Sequence, residues 1–442
     1  MSKKYDLRLF SLAAAGALAF SGLTSCGSDS GADASGSNNG ETSVTADTGT
    51  VPETGEAAPA VTEQVVPESP TANIKLGLIC MHDESSTYDL NFINSVELAR
   101  KTLGLTKEQI VVKTNVPEAE ECKQVAEDLA GDGCNIVFAD SFGHEKYMLE
   151  AAAEFPDVQF CHATGTLAHT EKRDNFHNAF ASIYEGRYLV GVAAGMKINE
   201  MIQSGRITED QAVMGYIGAF TYAEVISGYT AFYLGAKSVC PSVTMKVTFT
   251  GSWFDIEAEK SAAEQLIADG CVLISQHADS MGAPTACEEA GVPNISYNGS
   301  TKEECPNTFI VSSRINWAPY FVYMINSVVH DDPLDSDWVG SVYTDSVQLT
   351  AINNDVAAAG THDALDEVRK ELEEGTLHIF DTSKFTVDGK HLDTYMADVD
   401  TDPDYTPDTE VVGDGYFHES EKRSAPYFDL RIDGITLINE KY

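Results

Sequence analysis

The feature that most limits what this chain can fold into is an alternation of short, continuously apolar runs with longer amphipathic ones. "IKLGLICM" (74–81) leads into a segment with Phe92, Ile93, Val96, Ala99 and Leu103 on one helical face. "NIVFA" (135–139), "VQFCHA" (158–163), "AVMGYIGA" (212–219), "VTMKVTFTG" (243–251), "CVLISQHA" (271–278) and "NISYNG" (294–299) recur between helical stretches. A strand that meets water on one face alternates apolar and polar residues, whereas one that is apolar throughout must be covered on both. Strands of this kind separated by helices predict parallel sheets with helices on each side. Two sets follow one another, so the expected class is α/β, with two lobes that are each a parallel-sheet α/β sandwich.

The boundaries follow from composition. Lys3, Lys4 and Arg8 precede the apolar stretch "LFSLAAAGALAF", too short to span a bilayer and read as an export signal. Leu23-Thr24-Ser25-Cys26 resembles a bacterial lipobox, so residues 1–26 are expected to be a lipoprotein signal peptide with Cys26 as the lipidated residue. Residues 27–72 hold no Lys, Arg or aromatic residue and many Gly, Ser, Thr, Glu and Pro. Such a segment buries too little apolar surface to order itself, and is read as an acidic linker reaching on the order of 40 Å. Residues 73–180 are expected to form the first lobe, completed by about 303–334, and residues 181–302 the second. Residues 335–442 are read as an added C-terminal α+β extension packed on a lobe. Its features are a charged helix in "DALDEVRKELEEGT", a hairpin turning at Asp388-Gly389, and a further strand in "PYFDLRIDGITLIN".

Charge and motifs narrow the function. A net charge of −41 opposes contact with nucleic-acid phosphates, so no nucleic-acid partner is expected. No phosphate-binding P-loop and no G-x-G-x-x-G follows a strand. "DTDPDYTPDTE" lacks the spacing of an EF-hand, and no cysteine pair has zinc-site spacing, so neither cofactor nor metal is expected. The eight cysteines beyond Cys26 permit disulfides. Several sit inside strand-like runs, however, where a thiol serves as a small apolar group.

In open α/β sheets, ligands bind beyond the carboxyl ends of the strands. The residues found there are "HDESSTYDLN", "DSFGHE", "HATGT", "AFTYAE", "GSWFD", "QHADSMGA" and "YNGS", rich in Asp, Ser, His, Asn, Gly and aromatics and without Lys or Arg. That set suits a neutral ligand with hydroxyls and a flat apolar face rather than a polyphosphate. Asp140, Ser141 and His144 are candidates in the first lobe, and His277 and Asp279 in the second. Asp89 is read as the N-cap of the first helix. Arg314 and Trp317 are read as hinge, cleft-rim or ligand-contact residues.

"IKLGLICMHDESSTYDLNFINSVELA", "ASIYEGRYLVGVAAGM", "VTFTGSWFD" and "LISQHADSMGAPTACEEAGVPNISYNG" resemble the basic membrane protein family of ABC-transporter substrate-binding lipoproteins, the purine nucleoside receptor A type. The resemblance covers about Ile74 to Val329. It implies a two-lobe fold like that of type I periplasmic binding proteins, with three chain crossings between lobes and "TFIVSSRINWAPYFVYMINSVV" returning to the first. It further implies a small-molecule ligand, a nucleoside above all, in the cleft, with an ABC permease and ATPase as partners. Asn91 corresponds to the Asn of the family's first loop, and the aromatic beside it falls at Tyr88 or Phe92. "GSWFD" makes Trp253 the stacking partner of a base, and Asn298 stands near the family's acidic ribose-binding position. The expectation is a monomeric, non-enzymatic binding protein, lipid-anchored on the outer face of the cell membrane. The alternatives are an exported hydrolase of nucleosides or other small molecules, using carboxylates such as Asp83, Glu84 and Asp89, and a surface sensor without transport.

Overall fold

The computed structural model describes residues 71–399 and 402–440. The signal-peptide and lipidation expectation at Cys26, and all but the last two residues of the linker, lie outside them. The described chain forms two large sheets and two short two-stranded ladders. The first contains β1 (Leu76–Ile79), β2 (Ile110–Lys113), β3 (Ile136–Ala139), β4 (Gln159–Ala163), β5 (Phe176–Ala181) and β11 (Asp337–Gly340). Its order is β11-β5-β4-β3-β1-β2, all parallel. The second contains β6 (Val213–Gly218), β7 (Thr244–Phe249), β8 (Leu273–His277), β9 (Asn294–Tyr297), β10 (Phe309–Ile315) and β12 (Val347–Leu349), in the order β12-β10-β9-β8-β6-β7. Only β12 runs antiparallel to its neighbour among these. Every residue of β1, β3, β5, β8 and β9 is buried, as continuous apolar strands under two helical layers require.

Helices cover both sheets, among them α2 (Glu120–Gly131), α3 (Glu145–Glu154) and α4 (Leu167–Glu171) on the first and α7 (Ile256–Ala268) and α8 (Gly282–Ala290) on the second, and their ends are set by local chemistry. In α1 (Thr87–Leu103) the N-cap is Ser86, not Asp89 as read from the sequence: the Ser86 hydroxyl accepts the Asp89 N–H. Asp89 sits one turn in and reaches back, accepting the His82 N–H (2.8 Å) and the Ser86 hydroxyl (2.5 Å). In the second lobe, α5 (Ile183–Gln203) and α6 (Ala223–Val239) touch backbone to backbone. A Cβ on Gly191 would meet the Phe232 carbonyl oxygen at 2.2 Å, and one on Gly235 the Tyr188 carbonyl oxygen at 2.1 Å. That close approach accounts for the small residues in "GVAAG".

The return to the first lobe comes later than the sequence indicated. Phe309–Ile315 is not part of the first sheet; it pairs with β9 in the second. Only the following α9 (Ala318–His330) packs on α1. An apolar run followed by a helix reads alike in either lobe, and only strand pairing tells them apart. The chain crosses between lobes after β5, after β10 and after β11, and the crossings bond to one another: Ser182 N–H to Gly340 O (2.8 Å) and Asn316 N–H to Ser346 O (2.8 Å). Glu185 of α5 accepts the Val342 N–H (2.7 Å).

Residues 335–442 are not packed on one lobe alone. β11 closes one edge of the first sheet and β12 one edge of the second. α10 (Thr361–Glu373) packs on α5. The Asp388-Gly389 turn forms with positive φ at both residues (50° and 74°), but it joins a single bridge between Val387 and Lys390. Two short ladders follow, β13 (Met396–Ala397) with β14 (Thr409–Glu410) and β15 (Val412–Gly413) with β16 (Tyr416–Phe417). β17 (Ile435–Leu437) then adds parallel to β7 at the far edge of the second sheet. On the way, the Ser424 N–H bonds to Asp337 of β11 (2.6 Å). The eight cysteines among the described residues are unpaired and buried.

Candidate functional site

The carboxyl ends of the two sheets meet across a narrow cleft with a free volume of about 30 Å³. From the first lobe it is lined by Met81 and His82 after β1, Tyr88 and Asp89 in the first turn of α1, Ser141 and Phe142 after β3, and Thr164 after β4. The second lobe supplies Glu224 at the start of α6, Trp253 after β7, His277 and Asp279 at the end of β8, and Tyr297 at the end of β9. No Lys or Arg is among the residues that line it. The lobes touch around it. Asp279 O accepts the Thr87 N–H and hydroxyl (both 3.3 Å), and Asn91 Nδ2 donates to Asn298 O (3.3 Å). Ring pairs His82–Phe254 (5.6 Å) and Phe142–Tyr222 (5.3 Å) also cross the gap.

Of the residues predicted from sequence, Tyr88, Ser141, Trp253, His277 and Asp279 come together in this lining. Tyr88 is fixed by its hydroxyl bond to Asp140 O (2.8 Å). Trp253 packs edge-on to Phe220 (5.2 Å). The other five lie behind the wall. Phe92 is wholly buried in the first lobe, stacked on Trp317 at 4.5 Å. Asn91 and Asn298 tie lobe to lobe, and Asn298, at φ 61°, also bonds through Nδ2 to Asp279 (3.0 Å). His144 is buried with Nε2 on Val116 O (2.9 Å), and burial pushes its imidazole down to about 4. Trp317 is a core residue, and Arg314 bonds to Gln348. Phe142, Thr164, Glu224 and Tyr297 were not singled out, although their loops were. The strand-end rule identifies loops, and which residue within a loop faces inward depends on contacts far off in sequence.

Asp140 lies beneath the floor, wholly buried, accepting the Met81 N–H (3.1 Å). Burial and the neighbouring Asp89 push its carboxyl well above the usual range. Burial also works against ionisation of Asp89, yet hydrogen bonds from His82 and Ser86 outweigh it and hold that carboxyl low. Oxygens of the two carboxyls and Cys80 Sγ lie within 4.8 Å of one another. Asp140 is therefore the protonated member of a carboxyl–carboxylate pair. The folded protein keeps a proton that the unfolded chain releases above about pH 4. Stability consequently falls as pH rises through that range toward the folded-state pKa. Asp140→Asn keeps a neutral donor and is expected to remove this one-proton slope, at most about 1.4 kcal/mol per pH unit. Urea denaturation of both proteins at about pH 5 and about pH 7 reads the difference; parallel pH dependences would exclude the protonated acid.

Comparison with known proteins places this geometry. Residues 77–377 match the family described as "ABC transporter substrate-binding protein PnrA-like". A purine-binding protein of Brucella abortus is 33% identical over 224 residues, and an ABC transporter glucose-binding protein of Haloferax volcanii 32% over 229. Each alignment covers 51% of this chain, and the chain spans 58% and 54% of those relatives. Among solved structures, an ABC transporter solute-binding protein of Conexibacter woesei superposes with a TM-score of 0.56 at 18% identity, covering 69% of this chain and 98% of that one. One from Aeropyrum pernix gives 0.58 at 15% identity, covering 72% and 94%. These two share the two-lobe periplasmic-binding-protein-like fold. With the match extending over most of the chain, from β1 to beyond α10, the protein belongs to the PnrA-like family of ABC transporter substrate-binding proteins.

Proposed function

We propose that the protein is the extracytoplasmic receptor of an ABC importer, binding a purine nucleoside in the cleft and delivering it to a permease driven by a cytoplasmic ATPase. The observation that carries this reading is the lining. The rings of Tyr88, Phe142 and Trp253 stand among acceptor groups at the strand ends, with no cation to attract a phosphate. Base–aromatic stacking contributes about 1–3 kcal/mol per base, and the purine-binding relative from Brucella is consistent with it. Closure of two lobes on a hinge is a means of signalling occupancy to the partner. Lipid on Cys26 and the acidic linker would hold the receptor at the outer membrane face; among the described residues no helix is long and apolar enough to cross a membrane.

The name of the Haloferax relative supports a second reading, a hexose, which also stacks on aromatic rings. The full chain, incubated with purine and pyrimidine nucleosides and with glucose, is expected to be stabilised against heat by a purine nucleoside and to release no product. Stabilisation by glucose alone would overturn the nucleoside assignment. Cleavage at a catalytic rate would support the hydrolase instead.

A further inference from the structure

We propose that Glu224 selects the ligand edge by demanding an N–H donor, and that a buried chain running Arg187–Tyr216–His277 holds it in that state; this rests on the purine reading above. Arg187, in the middle of "YEGRYLV", has no exposed surface. Its guanidinium sits among the rings of Tyr216, Phe232 and Tyr297 at 5.2–5.3 Å. Its hydrogen bonds go to uncharged oxygens: Tyr216 OH (2.9 Å), Ser275 Oγ (2.8 Å), Ser313 Oγ (3.3 Å) and Ser296 O (3.5 Å).

A guanidinium can only donate. The Tyr216 oxygen therefore accepts from Arg187, and its own proton is free to bond His277 Nδ1, 3.4 Å away, when that nitrogen is the acceptor. With Nδ1 accepting, the imidazole carries its proton on Nε2, which donates to Glu224 Oε1 at 3.2 Å. Burial keeps His277 neutral, its pKa lowered against the opposing bond to Glu224. The hydrogen bonds thus run in one direction, from a cation that cannot deprotonate to a carboxylate on the cavity wall. His277 is 1% exposed and Glu224 14%, so the chain ends where the cavity begins.

A carboxylate held as a pure acceptor makes a strong bond to a ring or amino N–H and repels a lone pair facing it. A base without such a donor leaves the carboxylate unpaired in a partly dry site, and sites built in this way reject the donorless analogue strongly. The probes are adenosine, guanosine and inosine, whose bases carry N–H groups, and purine riboside, whose base carries none. For the wild-type full chain, calorimetry is expected to find purine riboside about ten-fold or more weaker than the best of the other three. In Glu224→Gln the amide can donate to a ring nitrogen, and the gap is expected to shrink to about three-fold or less.

Tyr216→Phe removes only the relaying hydroxyl. It is expected to narrow the gap and to move the His277 ¹⁵N resonances from the Nε2–H tautomer toward a mixture, a change that loss of packing alone would not produce. A full gap in Glu224→Gln, or unchanged His277 resonances in Tyr216→Phe, would overturn the proposal while leaving purine binding in place. If none of the four compounds binds the wild type, the purine reading fails, and this inference with it.

Discussion

Trp317→Ala is expected to cost about 3–5 kcal/mol of folding stability, as truncation of a fully buried large aromatic does. Trp317 is 1% exposed, stacked on Phe92 at 4.5 Å and edge-on to Phe138 at 5.8 Å and Tyr320 at 6.4 Å. Its N–H bonds to Ser95 Oγ (3.0 Å), so it fastens the start of α9 to the middle of α1 directly after the second crossing. The indole nitrogen finds no protein acceptor, which makes this an apolar packing site. Alanine would leave a cavity between two helices whose backbones are held elsewhere, so little collapse can fill it. Because Trp317 does not line the cleft, the expected signature is a lowered urea midpoint with ligand affinity little changed. A stability loss below about 1 kcal/mol would show that the site repacks.

Trp253→Ala is expected to weaken purine nucleoside binding by about ten-fold or more. Trp253 stands after β7 and reaches the cleft supported by Phe220 and by Tyr222 (6.0 Å), so its ring arrives already positioned. Its carbonyl oxygen accepts the Asp279 N–H (2.9 Å), which couples two strand-end loops of the second lobe independently of the side chain. The substitution therefore removes a stacking face while the loop stays anchored. Trp253→Phe retains a ring and is expected to keep most of the affinity. Titration calorimetry separates the two variants, and an alanine variant within about two-fold of wild type would remove Trp253 from the binding role.

How much of this was legible in the sequence depends on the range of the interaction involved. "NIVFA" and "CVLISQHA" identify themselves as strands because the apolar cores "IVFA" and "CVLI" need no partner to be recognised. Strand ends point to Ser141, His277 and Asp279 without knowledge of the sheets, whereas Tyr88 and Trp253 are legible only through the family resemblance. Phe92 failed one turn further on. It lies four residues after Tyr88 on the same face of α1, with ring centres 5.0 Å apart, yet one helical turn carries it from the cleft into the core. Asn91 and Asn298 read as ligand contacts through the family resemblance; only the facing lobe reveals that they bond across the gap. Glu224 could not be picked out of "AFTYAE", since its partner His277 is 53 residues away. Arg187 could not be picked out of "ASIYEGRYLVGVAAGM" either, because the oxygens around it come from β6, β8, β9 and β10.

The placement of β17 bears on how the protein is made. Five strands of the first sheet are contiguous in the chain, between Leu76 and Ala181, and can pair as soon as they emerge from the ribosome. The second sheet likewise has five contiguous strands, β6 to β10, between Val213 and Ile315, but one of its edges is covered from much further away. Its strand β7 keeps one edge unpaired until Ile435–Leu437 has been synthesised, nearly two hundred residues later. An unpaired parallel edge is a template for other chains, and non-local pairing is slow. A chain lacking Ile435–Leu437 would leave the β7 edge open along Met245–Val247, exposing unpaired backbone groups to strands of other molecules.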